Sequence, residues 1–143
     1  MLASFPIAFW TGAFCTDVAG LVSHDGFWFR VSLYQIAAGT ALGLVSAIAG
    51  TIDYLTVKMG NKAKEAADKH WIWSAVTLAF FVAGLAVRSR DAASVAGIII
   101  TSFGAIGLLA GAFYGSELVG KYHIGILERR RPVRGPGSNE TNG

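Results

Sequence analysis

An all-α integral membrane protein, built as a bundle of four transmembrane helices, is the fold class this sequence predicts. Three observations lead there. Four apolar runs, 2–22, 31–57, 70–88 and 92–120, fill most of the 143 residues, and each approaches or exceeds the ~20 residues a helix needs to cross hydrocarbon. Only 15% of the residues are charged and 53% are hydrophobic, whereas a soluble domain carries about 25% charged residues. Small residues recur at helical spacing inside the runs, as helices need when lipid supplies no hydrophobic drive for their association. The chain therefore reads as one transmembrane domain, 1–127, followed by a basic tail, 128–143. The tail ends in GPGSNETNG, which has no apolar periodicity and reads as disordered.

Helix one opens with FPIAFW. Pro6 falls near its first turn, where a missing N–H costs little. Gly12, Thr16 and Gly20 form its small-residue stripe. No Lys or Arg precedes the run, so it reads as a retained helix rather than a cleaved signal. Cys15 is the single cysteine, which excludes an intrachain disulfide, and it reads as a small apolar residue in the helix interior. Trp10 lies deep enough in the run to serve in packing, whereas Trp28, Trp71 and Trp73 fall near helix ends and read as interfacial anchors.

Helix two carries Gly39, Gly43, Ala47 and Gly50 along one stripe, with Ser32, Gln35, Thr40 and Ser46 scattered among them. Its GTALG segment is a packing stripe and not a dinucleotide loop, because no strand precedes it. Helix three is the shortest and opens at His70. Helix four repeats Gly104, Gly107, Gly111 and Gly115. These stripes predict a tight bundle. Their partner is either the chain itself or another subunit, including a second copy in a homo-oligomer.

With an even number of spans, both termini share a side with the middle connection. That side collects Lys58, Lys62, Lys64, Lys69, Lys121, Arg129, Arg130, Arg131 and Arg134; the other holds Arg30, Arg88 and Arg90. The bias places both termini in the cytoplasm, with short turns at 23–30 and 88–91 facing outward. The basic residues thus speak of topology and of the lipid bilayer, not of nucleic acid.

Ionisable groups inside spans are costly and mark candidate sites. Asp53 near the end of helix two, His70 at the start of helix three and Glu117 near the end of helix four share one depth. Ser4, Tyr54, Tyr114, Tyr122 and His123 lie at a similar level. Together they predict a polar cluster at the cytoplasmic mouth. Asp17 and His24 stand at the outer end. The cluster admits a structural reading, in which the carboxylates and His70 tie helices together. It also admits a cofactor reading, with His70, Asp53 and Glu117 as a first-row metal set or His70 as a haem ligand. The haem variant lacks a second histidine facing the same cavity. A third reading makes Asp17, Asp53 and Glu117 the ends of a proton or ion path in an oligomer. No nucleophile elbow, phosphate-binding loop or paired CxxC is present, so the chain reads as non-catalytic.

The order of these motifs carries a resemblance. FPIAFW with Asp17 in helix one, GTIDYL closing helix two, the basic KMGNKAKEAADKH connection and the closing GSELVGKYHIGI resemble the bacterial membrane-protein family called domain of unknown function 2231. The resemblance covers nearly all of the chain except the tail, and Asp17, Asp53, His70, Glu117 and Gly125 match its pattern. Two positions depart from it: Ser4 stands where relatives carry a histidine, and Tyr122 precedes His123 where relatives place a histidine. The resemblance implies four transmembrane helices, no established activity and, because some relatives are joined to a Rieske iron–sulfur domain, a place near membrane electron transfer. The expectation is a small non-catalytic subunit of a bacterial inner membrane, accessory to an electron-transfer complex. A haem- or metal-binding redox protein and a proton or ion pathway are the alternatives.

Overall fold

In the computed structural model the described residues are 4–56 and 61–122, with the backbone alone described at 117–119, 121 and 122. They form α1 (Ser4–Ser23), α2 (Gly26–Thr56), α3 (Asn61–Arg88) and α4 (Val95–Tyr122), with no strand among them. All four helices are long and apolar enough to cross a membrane. This is the all-α architecture that the apolar runs predict. A helix satisfies its own backbone, which is what a lipid solvent demands.

Two helices begin earlier than their apolar runs. α2 starts at Gly26 rather than at 31, because the first turn needs only two residues. His24 takes the left-handed conformation, φ 56°, that ends a helix, and Asp25 Oδ1 accepts the Phe27 N–H at 2.9 Å as an N-cap. α3 starts at Asn61 rather than at 70. Its polar first turns bury Ala63, Ala66 and Ala67 on one side while Lys62, Lys64 and Glu65 stay exposed. Hydropathy misses such a segment, but the alanine spacing is helical. α4 starts late, after Ser94, whose Oγ accepts the Gly97 N–H at 3.4 Å.

α1 packs along α2 and α3 along α4, and the two hairpins meet where α2 faces α3 and α1 faces α4. The backbones of α1 and α3 do not approach; these helices are parallel and lie across the diagonal of the bundle. The buried positions repeat at alternating spacings of three and four: Pro6, Trp10, Ala13, Asp17 and Gly20 on α1, and Thr77, Phe81, Gly84 and Arg88 on α3. This spacing is that of knobs-into-holes packing.

The interior and exterior are inverted relative to a water-soluble bundle. Large apolar side chains such as Val22, Leu55 and Leu109 point outward at 75%, 75% and 72% exposure, the surface that lipid covers. Much of the interior is small or polar: Ala13, Ser32, Thr40, Thr77 and Thr101. Cys15, expected inside, lies on the exposed face of α1.

The glycine stripes are largely taken up within the chain. Gly39 and Gly43 lie against the Trp10 indole, Gly104 against Phe81, Gly107 against Thr77 and Gly115 against His70, whereas Gly50 faces open space. The alternative left by the sequence is thus decided for most of these positions: their close partner is the neighbouring helix of the same chain.

Candidate functional site

The most polar point of the interior joins α1 to the end of α3. Arg88 is the last residue of α3 and is fully buried; Asp17, two turns before the end of α1, is 4% exposed. Nη1 of Arg88 donates to Asp17 Oδ2 at 2.7 Å and Nη2 to Asp17 Oδ1 at 2.7 Å. This is a bidentate, charge-assisted pair. The remaining guanidinium nitrogen, Nε, donates to Ala92 O at 3.0 Å, and Nη2 also reaches Phe29 O at 3.4 Å. One side chain therefore ties together α1, the start of α2 and the α3–α4 turn. Every nitrogen of the guanidinium is engaged, as burial of a charge requires.

Gly97 makes this position possible. A Cβ there would collide with Cγ of Arg88, so α4 presents bare backbone to the stem of the arginine. One heptad deeper on the same two helices, Trp10 and Phe81 stack with centroids 4.4 Å apart and planes 1° from parallel. The diagonal of the bundle is thus spanned twice, once by charge and once by aromatic contact. Beside it, Thr16 Oγ1 donates to Gln35 Oε1 at 3.0 Å and links α1 to α2.

The sequence places Asp17 near a helix end and ends helix three at 88, as observed, but it assigns Arg88 to an outward-facing turn. The structure corrects this: the Arg88 side chain turns inward and is fully buried. The available signal was an acid and a base at equal depth on different helices, each bordering an apolar run.

The expected cytoplasmic cluster is distributed differently. Asp53 is exposed, between Ile52 and Leu55, which are 56% and 75% exposed. Two residues before it, Thr51 Oγ1 accepts the Trp71 Nε1–H at 3.2 Å. His70 is half-buried and turns to α4, its Nδ1 lying 2.9 Å from Gly111 O. No hydrogen bond or ion pair joins His70 to Asp53. The acid that links α2 to α3 at this end is Asp68, whose Oδ1 accepts the Tyr54 hydroxyl at 2.5 Å. Ser4 is exposed at the first turn of α1, and His24 is exposed in the opposite turn. The side chains of Glu117 and Tyr122, and the whole of His123, lie outside the described residues.

Among the described residues no group of three or more His, Cys, Asp or Glu side chains is arranged to hold a metal ion. His70 Nδ1 lies against Gly111 O, which leaves Nε2 as its one nitrogen for a ligand, but no second described ligand joins it: Asp53 is exposed, and the other described histidine, His24, stands at the far end of the bundle. The described residues therefore do not fit a haem or a metal set built from His70 and Asp53, and no chemistry is derived through one.

The inverted core, the spans and the internal ion pair define an integral membrane protein of the four-helix class. The chain belongs to the DUF2231 family, described as a predicted membrane protein, whose pattern matches residues 1–128. No curated protein and no solved structure matches it.

Proposed function

We propose that this protein is a small non-catalytic subunit of a bacterial inner membrane, accessory to a membrane electron-transfer complex. The observation that carries the reading is the closed chemistry of the core. The acid buried in it, Asp17, has both oxygens engaged by Arg88, so the most deeply buried charges of the described interior are committed to holding helices together. A carboxylate so committed holds helices in place, as a scaffold requires, and is not available to react with a substrate. The link to electron transfer rests on family members that are joined to a Rieske domain.

The same reading puts both termini in the cytoplasm. Arg88 is neutralised inside the bundle, so Arg30 and Arg90 are the exposed basic residues of the opposite end. The basic residues of the connection and of the tail then carry the positive-inside bias. A protein partner, or a second copy, would have to use surface other than the occupied glycine stripes; Gly50 is open.

Purification at native expression in mild detergent, with the co-purifying proteins identified, tests the proposal. Stoichiometric recovery of a redox complex supports it. Recovery of this chain alone, from membranes in which known complexes stay intact, overturns it.

A further inference from the structure

From Ala63 to Arg88 the inward side of α3 keeps one spacing, four and three residues in turn, the repeat that faces a bundle axis. Every member of this stripe is buried or half-buried except Ser74, which is exposed. The inward stripe of α2 breaks nearby. It is buried at Ile36, Gly39 and Gly43 and half-buried at Ser46, but exposed at Gly50, where an added Cβ would meet nothing within 4 Å. The Trp71 bond to Thr51 puts these stretches of α2 and α3 side by side.

The break has its cause in α1. The Trp10 indole packs on Gly39 and Gly43 of α2 and on Phe81 of α3. From there the described part of α1 runs on only to Ser4, about 9 Å at the helical rise, and Pro6 is the last buried member of its stripe. α2 continues from Gly43 to Thr56 and α3 from Phe81 back to Asn61, about 20 and 30 Å by the same rise. Among the described residues three helices thus continue past the start of α1, and the fourth position of the bundle is open. Gly111 of α4 stands across from Ser74, and a Cβ added to it would still lie 3.8 Å from Ser74 Oγ.

The gap lies at hydrocarbon depth. α2 has no Asp, Glu, Lys or Arg between Arg30 and Asp53, and α3 has none between Lys69 and Arg88. Gly50 and Ser74 fall about a turn inside Asp53 and Lys69. Ile48, Ile72 and Phe113, close by on the three helices, are exposed. The walls of the gap therefore run on without a break into the surface that lipid covers.

We propose that a phospholipid acyl chain occupies this gap and completes the bundle where α1 stops. Gly50 and Gly111 present no polar side chain and Ser74 only a hydroxyl, which suits hydrocarbon and gives a cluster of waters too few partners. The gap opens sideways into lipid tails, the solvent at this depth. Left empty, it would deprive its lining of dispersion contacts on one side. The chain acts here as a packing element of the fold, in contact with the inward stripes of α2 and α3.

Thermal unfolding of the delipidated full chain in detergent, with and without added phosphatidylcholine, tests the proposal. Bound lipid stabilises the form that binds it, so Tm rises in the parent. Ser74→Leu and Gly50→Leu each put a side chain into the gap and should reduce that rise by about half or more. Ala79→Leu, on the exposed side of α3, leaves the rise unchanged. An absent rise in the parent, or one that both gap-filling variants keep in full, overturns the proposal. A spin label on Ser74→Cys in a Cys15→Ser background identifies the occupant in liposomes. Relaxation by oxygen with little by a water-soluble nickel chelate is the result expected for lipid. Strong relaxation by the chelate means water, and protection from both means protein, a second copy included; either overturns the proposal.

Discussion

Both carboxylate oxygens of Asp17 are held by the guanidinium of Arg88 across the diagonal of the bundle, at 2.7 Å each. The two helices that carry them have no backbone contact of their own. The pair therefore ties one hairpin to the other across the diagonal, beside the α2–α3 and α1–α4 contacts and the Trp10–Phe81 stack. Breaking a buried pair by removing one partner costs about 3–5 kcal/mol, because a charge is left without compensation. Asp17→Ala and Arg88→Ala should each destabilise by about that amount. Asp17→Leu with Arg88→Met should recover much of the loss, since apolar replacement of both partners is often neutral. Equilibrium unfolding in mixed micelles measures all three, and equal losses in the single and double apolar variants would contradict the pairing.

Gly97 is tied to the same pair through space rather than through bonding. Gly97→Ala puts a methyl where the stem of Arg88 runs, and overpacking of that kind costs about 1–3 kcal/mol. In an Arg88→Ala background the cost should largely vanish. A double-mutant cycle reads this coupling directly, and additive losses would show that Gly97 acts through some other contact.

The Trp10–Phe81 stack is the second diagonal contact. Trp10→Ala should cost about 3–5 kcal/mol as a large-to-small core change. Trp10→Phe keeps an aromatic ring against Phe81 and should cost clearly less. Thermal melts in detergent, followed by near-UV circular dichroism, separate the two variants. Equal losses would mean that the stack adds nothing beyond volume.

The first turn offers a gain. His24 holds φ 56°, a conformation that costs an L-residue roughly 1–2 kcal/mol and glycine almost nothing. His24→Gly should raise Tm. Asp25→Ala removes the cap on Phe27 N–H and should cost about 1 kcal/mol. Opposite shifts in Tm are the expected outcome, and a fall in both would point to a side-chain role for His24.

His70 tests the cofactor alternative against the structural one. His70→Ala loses the bond to Gly111 O, worth about 0.5–1.5 kcal/mol net. Under the structural reading, Tm falls while the oxidised-minus-reduced spectrum and metal content of the purified protein stay as in the parent. Loss of an absorbance band or of stoichiometric metal in the variant would overturn the non-catalytic reading.

Much of the fold was legible before any coordinates. The apolar runs, the inward role of Trp10 and the closely packed glycines of helix four all follow from composition and spacing. The start of α3 at Asn61 was less so, because its first turns are polar and only Ala63, Ala66 and Ala67 betray the buried side. The candidate site was half legible. Asp17 stood out as an acid bordering a span, but its partner was hidden, because Arg88 follows the last apolar residue and reads as the first residue of a turn. Asp53 drew attention by its place in a run, yet the rotation of α2 leaves it exposed beside Ile52.

The sequence by itself determined which segments span the bilayer, because in lipid each helix must satisfy its own backbone and that requirement is local. Only the tertiary structure decided which polar side chains meet. The contacts of Asp17 with Arg88, of His70 with Gly111 and of Tyr54 with Asp68 depend on the depth and rotation of two helices at once. Those are set by the packing of all four helices and by the glycines that let them approach.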